Sequence, residues 1–233
     1  MRIKEKVTGI LDTLDARYGV AECSLTYQHA WQLLVAVRLS AQCTDARVNL
    51  VTPVLFEAYP TLESLAQADP LDVMEIVKPC GFYKVKGQNI VDMSRMLLEN
   101  YGGQVPDTIE ELVKLPGVGR KTANLICGDV YGKPAIVADT HCIRISNRLG
   151  LCKDLKEPEK VEKRLKAIIP PERSNNFCHQ LVWYGREICT ARSPKCGECP
   201  LALYCDHFHK GGKPAAKKTT SKTTAKKTGA GQS

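Results

Sequence analysis

Apolar residues recur along this chain at the three- and four-residue spacing of amphipathic helices. At the N-terminus the apolar stripe consists of Ile3, Val7, Ile10, Leu11 and Leu14. The same periodicity predicts further helices at about 28–41, 44–58, 61–68, 70–78, 83–100, 107–115, 120–131, 140–149, 157–168 and 172–188. Pro53 falls inside one of these segments, where it should kink or restart the helix.

The pattern predicts an all-α protein. No turn dipeptide stands between two alternating apolar strands, so a sheet is not expected. The connections between the helical segments are short, as in compact helical folds. A chain of 233 residues with 43% hydrophobic content can form one large domain or two small ones, each with a core.

Membrane and secretory segments are not expected. The chain has no apolar run of the roughly 18 residues that a membrane span requires. Its N-terminus lacks the apolar region of a signal peptide. These features predict a cytoplasmic protein without a membrane partner. The eleven cysteines would then be reduced, so we expect some to bind metal and the others to pack in the core.

The net charge of +8 is concentrated at one end. Residues 210–233 contain seven lysines and no acidic residue, which leaves +1 for the other 209 residues. This segment lacks large apolar side chains and cannot offset its chain entropy by burial, so we expect it to be disordered. The remaining body can bind nucleic acid only through local clusters of cations.

A glycine-rich turn, Leu115-Pro116-Gly117-Val118-Gly119, stands between two helical segments. Two glycines let the backbone turn tightly and approach a ligand closely. The amides at the start of the next helix suit a phosphate group. A tight connection without any ligand fits the same spacing, so both interpretations stay open here.

Lys121 lies in the first turn of that next helix, roughly opposite the stripe of Ala123, Ile126 and Val130. Most lysines at such positions are solvated, but a neutral amine could act as a nucleophile. An ordinary lysine pKa is about 10.4, so this role needs a pKa lowered by about three units. The helix N-terminus, partial desolvation and the neighbouring Arg120 would all lower it.

Asp139 ends an apolar stretch at 135–138 and precedes the helix expected at 140–149. The commonest role for an aspartate at such a place is to cap the helix N-terminus. A capping carboxylate is held rigidly, which a catalytic carboxylate also requires. The structural and catalytic roles are therefore compatible.

Four cysteines fall within seventeen residues near the end of the chain: Cys189, Cys196, Cys199 and Cys205. Their spacing, C-x6-C-x2-C-x5-C, predicts a four-thiolate metal site. The metal stays open, because His207 and His209 could serve zinc, although zinc ribbons usually carry two C-x2-C pairs. Arg192 and Lys195 lie between the first two cysteines, as phosphate contacts or as ordinary solvated charges.

Taken together, these motifs resemble those of the bacterial endonuclease III family. The resemblance rests on LSAQCTD at 39–45, LPGVGRKTAN at 115–124, VADTH at 137–141 and the cysteine spacing. It covers roughly residues 1–207, and the lysine-rich segment lies outside it.

The resemblance implies two helical domains that flank a DNA-binding cleft. A six-helix domain would span residues 23–133, and a discontinuous iron–sulfur domain would combine residues 1–22 with 134–209. The loop at 115–119 would form the hairpin of a helix–hairpin–helix element. The four cysteines would hold a [4Fe–4S] cluster.

The resemblance also implies roles for single residues. Lys121 and Asp139 match the family's catalytic lysine and aspartate. Gln42 matches the residue that fills the space left by a flipped base, and Phe82 stands at an apolar wedge position where leucine is usual. The residues expected to bind the DNA backbone are Gly117, Val118, Gly119, Arg192 and Lys195.

On this resemblance the protein would be a bifunctional DNA glycosylase of base excision repair, acting as a monomer on duplex DNA. It would remove oxidised pyrimidines and cut the strand by β-elimination through a Schiff base. Adenine and mismatch thymine glycosylases are disfavoured because they lack a lysine at the position of Lys121. A non-catalytic DNA-binding protein would not need Lys121 with Asp139, and a zinc module would be distinguished by its metal.

Overall fold

The computed structural model describes residues 1–211, and its regular elements are helical. No β-strand occurs in this part of the chain, which confirms the predicted all-α class. The α-helices are α1 (Ile3–Tyr18), α2 (Ala30–Ser40), α3 (Asp45–Ala58), α4 (Leu62–Ala66), α5 (Pro70–Val77), α6 (Tyr83–Tyr101), α7 (Ile109–Leu112), α8 (Arg120–Asp129), α9 (Thr140–Arg148), α10 (Pro158–Lys166), α11 (Ser174–Glu187) and α12 (Asp206–His209). The disorder predicted for 210–233 concerns positions that lie outside the described residues from 212 onward.

The structure differs from two sequence-based expectations about helices, a possible restart at Pro53 and the length of the helix at 107–115. α3 continues through Pro53 without restarting. The helix expected at 107–115 is a single turn, α7, because the backbone leaves the helical path at Val113. Two residues later the glycine-rich turn begins, and the Val118 amide donates to the Leu115 carbonyl at 3.1 Å.

Buried hydrophobic side chains form two separate cores. The first core takes its buried residues from between Leu25 and Cys127, chiefly from α2, α3, α6 and α8. The second core combines α1 with residues from Ile136 to Cys205. Leu125, on α8, packs against both cores. α8 therefore lies where the two cores meet.

The second core is discontinuous because α1 packs against the end of the described chain. Gly9 allows a close approach, since a Cβ there would lie 2.4 Å from the Tyr204 hydroxyl. On the same helix, Lys6 forms an ion pair with Asp206. These contacts support the inferred boundaries, 23–133 against 1–22 with 134–209, which stay a prediction. Among residues 1–211 no helix is long and apolar enough to cross a membrane.

Candidate active site and cysteine cavity

A cavity of about 330 Å³ lies between the two cores, and sequence-predicted residues from both sides line it. Lys121 comes from α8 and Gln42 from the loop after α2. Asp139 comes from the segment before α9, and His141 from the first turn of α9. The fold thus brings an amine and a carboxylate to one space, although they belong to different helices.

Lys121 is exposed, and the structure confirms its predicted direction. Ala123 and Ile126 on the other face of α8 are fully buried. The helix begins after Gly119, whose extended backbone ends the hairpin. The lysine therefore projects from a rigid first turn.

Asp139 caps α9, as its position in the sequence predicted. Its Oδ1 accepts a hydrogen bond from the Cys142 amide at 2.7 Å. The side chain is half-buried and lines the cavity. Since the cap fixes the carboxylate to the helix N-terminus, its position at the cavity is well defined.

Arg120 corrects one expectation. Its guanidinium donates to both carboxylate oxygens of Glu162, with Nε–Oε2 at 2.8 Å and Nη2–Oε1 at 2.9 Å. The buried Glu162 carboxylate raises the pKa of Arg120 through this hydrogen bond. Because the charge of Arg120 is compensated in this pair, Arg120 is not the free cation that the sequence suggested beside Lys121.

Sequence reasoning gave no role to a second carboxylate in the cavity, Asp45. Its Oδ2 accepts from Ser24 Oγ at 2.6 Å and from Arg186 Nη2 at 2.8 Å. Burial works to raise the pKa of Asp45, but these donors and the charges of Arg186 and Lys121 lower it overall. Asp45 lies inside the motif LSAQCTD at 39–45, which could have pointed to it. No motif in the sequence pointed to Arg186.

His141 is another cavity residue to which the sequence analysis gave no role. Burial lowers the pKa of its imidazole, although the charge of Asp139 acts in the opposite direction. Its Nδ1 lies 3.2 Å from Arg144 Nη2. A lowered pKa keeps the imidazole neutral near pH 7. The motif VADTH at 137–141 contains His141 and could have pointed to it.

The hairpin before α8 needs glycine at one position. Gly117 has φ 75°, and a Cβ there would lie 2.5 Å from Arg38 Nε and 2.8 Å from Asn89 Oδ1. Arg38 Nη2 donates to that same Asn89 oxygen at 2.9 Å. Val118 is 6% exposed, so its side chain anchors the turn in the first core while the glycines on either side are exposed.

Gln42 and Phe82 share an unusual backbone conformation. Their φ angles are 55° and 49°, a left-handed region that side-chain-bearing residues rarely adopt. Both are exposed, Phe82 by 67%. Such strain persists only where the surrounding structure imposes it, and it concentrates at functional sites.

A buried lysine connects the loops that carry these two residues. Lys86 is 1% exposed, and its Nζ donates to the carbonyls of Leu39 and Cys80, both at 2.8 Å. Leu39 lies near the end of α2, just before Gln42, and Cys80 lies two residues before Phe82. Sequence reasoning did not find this lysine.

The four predicted cysteine ligands line a second cavity, bounded by α9, α11 and the last turns of the chain. In residues 1–211 no three His, Cys, Asp or Glu side chains converge on a single metal ion. A [4Fe–4S] cluster needs one thiolate for each of its irons, spread around the cluster rather than gathered on one atom. The four thiols around this cavity fit that donor set.

Two side chains contact the ligand sulfurs. The Tyr184 hydroxyl lies 2.7 Å from Cys199 Sγ, and Tyr184 is 1% exposed. Arg148 Nη1 lies 3.3 Å from Cys189 Sγ. Hydrogen bonds of this kind orient ligands and tune the group they bind.

Arg148 also fixes the loop between the first two cysteines. It donates to the carbonyls of Thr190 and Ala191, both at 2.8 Å. Arg192 and Lys195 in this loop are exposed. The loop thus exposes two cations while Arg148 holds its backbone in place.

Comparisons with known proteins agree with this geometry. Residues 35–171 match the family model of the HhH-GPD superfamily base excision DNA repair protein. Residues 189–205 match the model of the iron-sulfur binding domain of endonuclease III. The second match decides between the metals that the cysteine spacing left open.

Curated relatives match over most of their length. The chain is 45% identical to endonuclease III of Synechocystis over 203 residues, 87% of this chain and 92% of that protein. It is 45% identical to endonuclease III of Bacillus subtilis over 195 residues, 84% of this chain and 89% of that one. With endonuclease III of Escherichia coli the identity is 38% over 207 residues, 89% of this chain and 98% of that one.

Solved structures share the fold. A trapped endonuclease III–DNA covalent intermediate superposes with a TM-score of 0.85 at 40% identity, covering 91% of this chain and all of that one. A non-covalent endonuclease III–DNA complex gives 0.85 at 41% identity, covering 90% of this chain and 98% of that one. A thermostable thymine-DNA glycosylase, at 21% identity and a TM-score of 0.79, shares the fold alone.

The family match, the relatives and the donor set of the cysteine cavity lead to one conclusion. The chain belongs to the endonuclease III family, the DNA glycosylases and AP lyases of base excision repair that carry a [4Fe–4S] cluster.

Proposed function

We propose that this protein releases oxidised pyrimidines from duplex DNA and then cuts the strand at the abasic site, with Lys121 as nucleophile and Asp139 as its carboxylate partner. One observation carries the proposal: these two side chains are carried by helices that pack into different cores, and they line the same cavity. A relative with 40% identity has been trapped as a covalent intermediate with DNA, which supports a covalent route here.

The damaged base must first leave the stack. Flipping a nucleotide costs a few kcal/mol, and less when its base is damaged and poorly stacked. Gln42 would fill the space that the base vacates, and Phe82 would enter the duplex as a wedge. Both are exposed and held in strained conformations, which suits side chains that enter DNA without rearranging.

The chemistry would begin at C1′ of the flipped nucleotide. The neutral amine of Lys121 forms a bond to C1′ while the glycosidic bond breaks and its electrons leave with the base. The Asp139 carboxylate stabilises the positive charge that develops on the sugar. Because its cap to Cys142 keeps this carboxylate in place, the stabilisation needs little reorganisation.

Strand cleavage would follow on the same amine. The sugar ring opens to a Schiff base between Lys121 and C1′, which acidifies the proton on C2′. Removal of that proton expels the 3′ phosphate by β-elimination, and water then releases Lys121. Asp45 and the neutral imidazole of His141 line the same cavity and could accept protons.

Backbone binding would come from two separate places. The amides of Gly117, Val118 and Gly119 would bind a phosphate at the hairpin. Arg192 and Lys195 would bind phosphates from the loop that Arg148 holds. Held by Cys189, Cys196, Cys199 and Cys205, the cluster would cross-link and order this loop, and the reaction itself would need no electron transfer.

The protein would act as a monomer, because Lys121, Asp139 and all four cysteines belong to one chain. Its substrate would be chromosomal DNA in the bacterial cytoplasm, since the three curated relatives described above come from bacteria.

Borohydride trapping on a duplex with one oxidised pyrimidine tests the proposal. Reduction converts the Schiff base into a stable protein–DNA adduct, which we expect for the wild type and not for Lys121→Ala. Binding of Lys121→Ala to a duplex with a non-cleavable abasic analogue should stay within about threefold of wild type, because Lys121 is not part of a core. Trapping that persists in Lys121→Ala would refute the assignment.

A further inference from the structure

The helix that carries Lys121 is joined to the second core at both of its ends. At its start, Arg120 and Asn124 bind Glu162 of α10. At its end, Asp129 binds Asn175 and His179 of α11. We call these contacts the N-terminal clamp (Arg120, Asn124, Glu162) and the C-terminal clamp (Asp129, Asn175, His179).

Glu162 is the centre of the N-terminal clamp. Its side chain is 5% exposed, and its carboxylate accepts from Arg120 twice, from Asn124 Nδ2 at 3.1 Å and from Lys166 Nζ at 2.7 Å. Burial works to raise the pKa of Glu162, but the hydrogen bonds from Arg120 and Lys166 lower it overall. The carboxylate is therefore ionised, and its charge pairs with the two cations Arg120 and Lys166.

Asp129 is the centre of the C-terminal clamp. Its side chain is 6% exposed, and Oδ1 accepts from His179 Nε2 at 2.7 Å and from Asn175 Nδ2 at 2.8 Å. Gly128 lets α11 approach closely, since a Cβ there would lie 2.3 Å from Asn175 Oδ1. Between the clamps, only Leu125 of α8 packs against both cores in the described part of the chain.

The clamps matter because the two reactive groups belong to opposite sides of this junction. Lys121 moves with α8, whereas Asp139 moves with α9 in the second core. Apolar contacts such as those of Leu125 are non-directional and permit sliding. A two-point contact between guanidinium and carboxylate fixes both distance and orientation.

We propose that Glu162 and Asp129 are positioning residues, which hold α8 against the second core so that the Lys121 amine and the Asp139 carboxylate meet at one sugar carbon. This inference rests on the proposed function. Neither residue touches the substrate. Their effect is on alignment, where a misplacement of about 1 Å costs on the order of 100-fold in rate.

Glu162→Gln tests the N-terminal clamp, because it keeps the size of the side chain and removes its charge. We expect the single-turnover rate of base release, measured per trappable active site, to fall about 10- to 100-fold. The Kd for a duplex with a non-cleavable abasic analogue should change less than about threefold. Glu159→Gln, at an exposed position of the same helix, is the matched control and should keep the wild-type rate.

Normalising to active sites separates alignment from stability, because a purely structural role would lower the number of active molecules and leave the rate of each unchanged. That outcome would overturn the inference. If Glu162→Gln fails to fold, Arg120→Gln breaks the same contact from a side chain that is 47% exposed. It should show the same loss of rate.

Asp129→Asn tests the other clamp independently. We expect a smaller loss, about 3- to 10-fold, because Asp129 lies two helical turns from Lys121 while Arg120 is adjacent to it. Wild-type rates in both single variants and in the double variant would refute the clamps. Lys121→Ala keeps the two failures distinct: persistent trapping there rejects the catalytic assignment, whereas normal rates in the clamp variants reject only the positioning role.

Discussion

The two cores differ in how they are stabilised. The first core is built from a continuous stretch of chain, and α2 alone buries Leu33, Leu34, Val35, Ala36 and Leu39 almost completely. The second core draws on both ends of the described chain, and residues 189–205 contain only the short 3-10 turns Cys196–Glu198 and Ala202–Tyr204. Turns of this length do not order a segment by their own hydrogen bonds.

The difference has a consequence for the active site. The proposed nucleophile belongs to a helix of the apolar first core, whereas Asp139 caps a helix of the second core, where we expect binding of the cluster to be coupled to folding. Loss of the cluster should therefore displace Asp139 before it affects Lys121.

Cys199→Ser should disrupt the second core. The variant loses a cluster ligand, so we expect much less than four irons per chain and low solubility. In hydrogen exchange, amides of α9 and α11 should lose protection while those of α2 and α6 keep most of theirs. Cys43→Ser, at a half-buried cysteine that does not line the cavity of the four cysteine ligands, should keep its iron. Equal loss of protection in both cores would show that they fold as one unit.

Asp139→Asn should leave the second core intact and remove the charge beside the sugar. We expect base release to fall about 100-fold or more, by analogy with the loss of other transition-state charge stabilisers. The melting temperature should change little, because asparagine also caps helices. Asp139→Ala should in addition lose about 1 kcal/mol of stability. Activity within a few-fold of wild type in Asp139→Asn would leave Asp139 only its capping role.

Arg192→Ala and Lys195→Ala should weaken DNA binding without changing the preference for damaged bases, since phosphate contacts carry no sequence information. Each variant should flatten the slope of log K against log salt by roughly 0.9 on duplex DNA. Lys4→Ala, at an exposed position of α1, provides the control. An unchanged slope in both loop variants would place the DNA elsewhere on the second core.

Tyr184→Phe should have the smallest effect. The hydroxyl that contacts Cys199 Sγ is lost, while the ring still fills its buried position. A hydrogen bond to a ligand sulfur favours the more reduced cluster, so voltammetry should give a lower reduction potential for the variant. Tyr204→Phe makes the same change outside the cysteine cavity and should leave the potential unchanged. Equal potentials in all three proteins would contradict the assigned contact.

The sequence predicted the parts of the site that depend on local pattern. The cap at Asp139, the exposed direction of Lys121 and the placement of the cysteines each follow from a few neighbouring residues. Glu162 and Lys86 could not be predicted, because Glu162 meets Arg120 across 42 residues and Lys86 meets the Leu39 carbonyl across 47. A single sequence does not show which distant residues are paired. The helix expected at 107–115 was too long, because apolar residues keep a helical spacing as far as the glycine-rich turn.

Lys86 has a mechanical consequence. One ammonium holds the carbonyls of Leu39 and Cys80, so the loops bearing Gln42 and Phe82 share a single anchor. With their proposed roles, Gln42 and Phe82 would enter the duplex together, at a fixed distance from each other. Stiff DNA would resist both, and DNA softened by a poorly stacked base would yield to both. The protein would then first test how easily the DNA deforms at a site, before it contacts any atom of the damaged base.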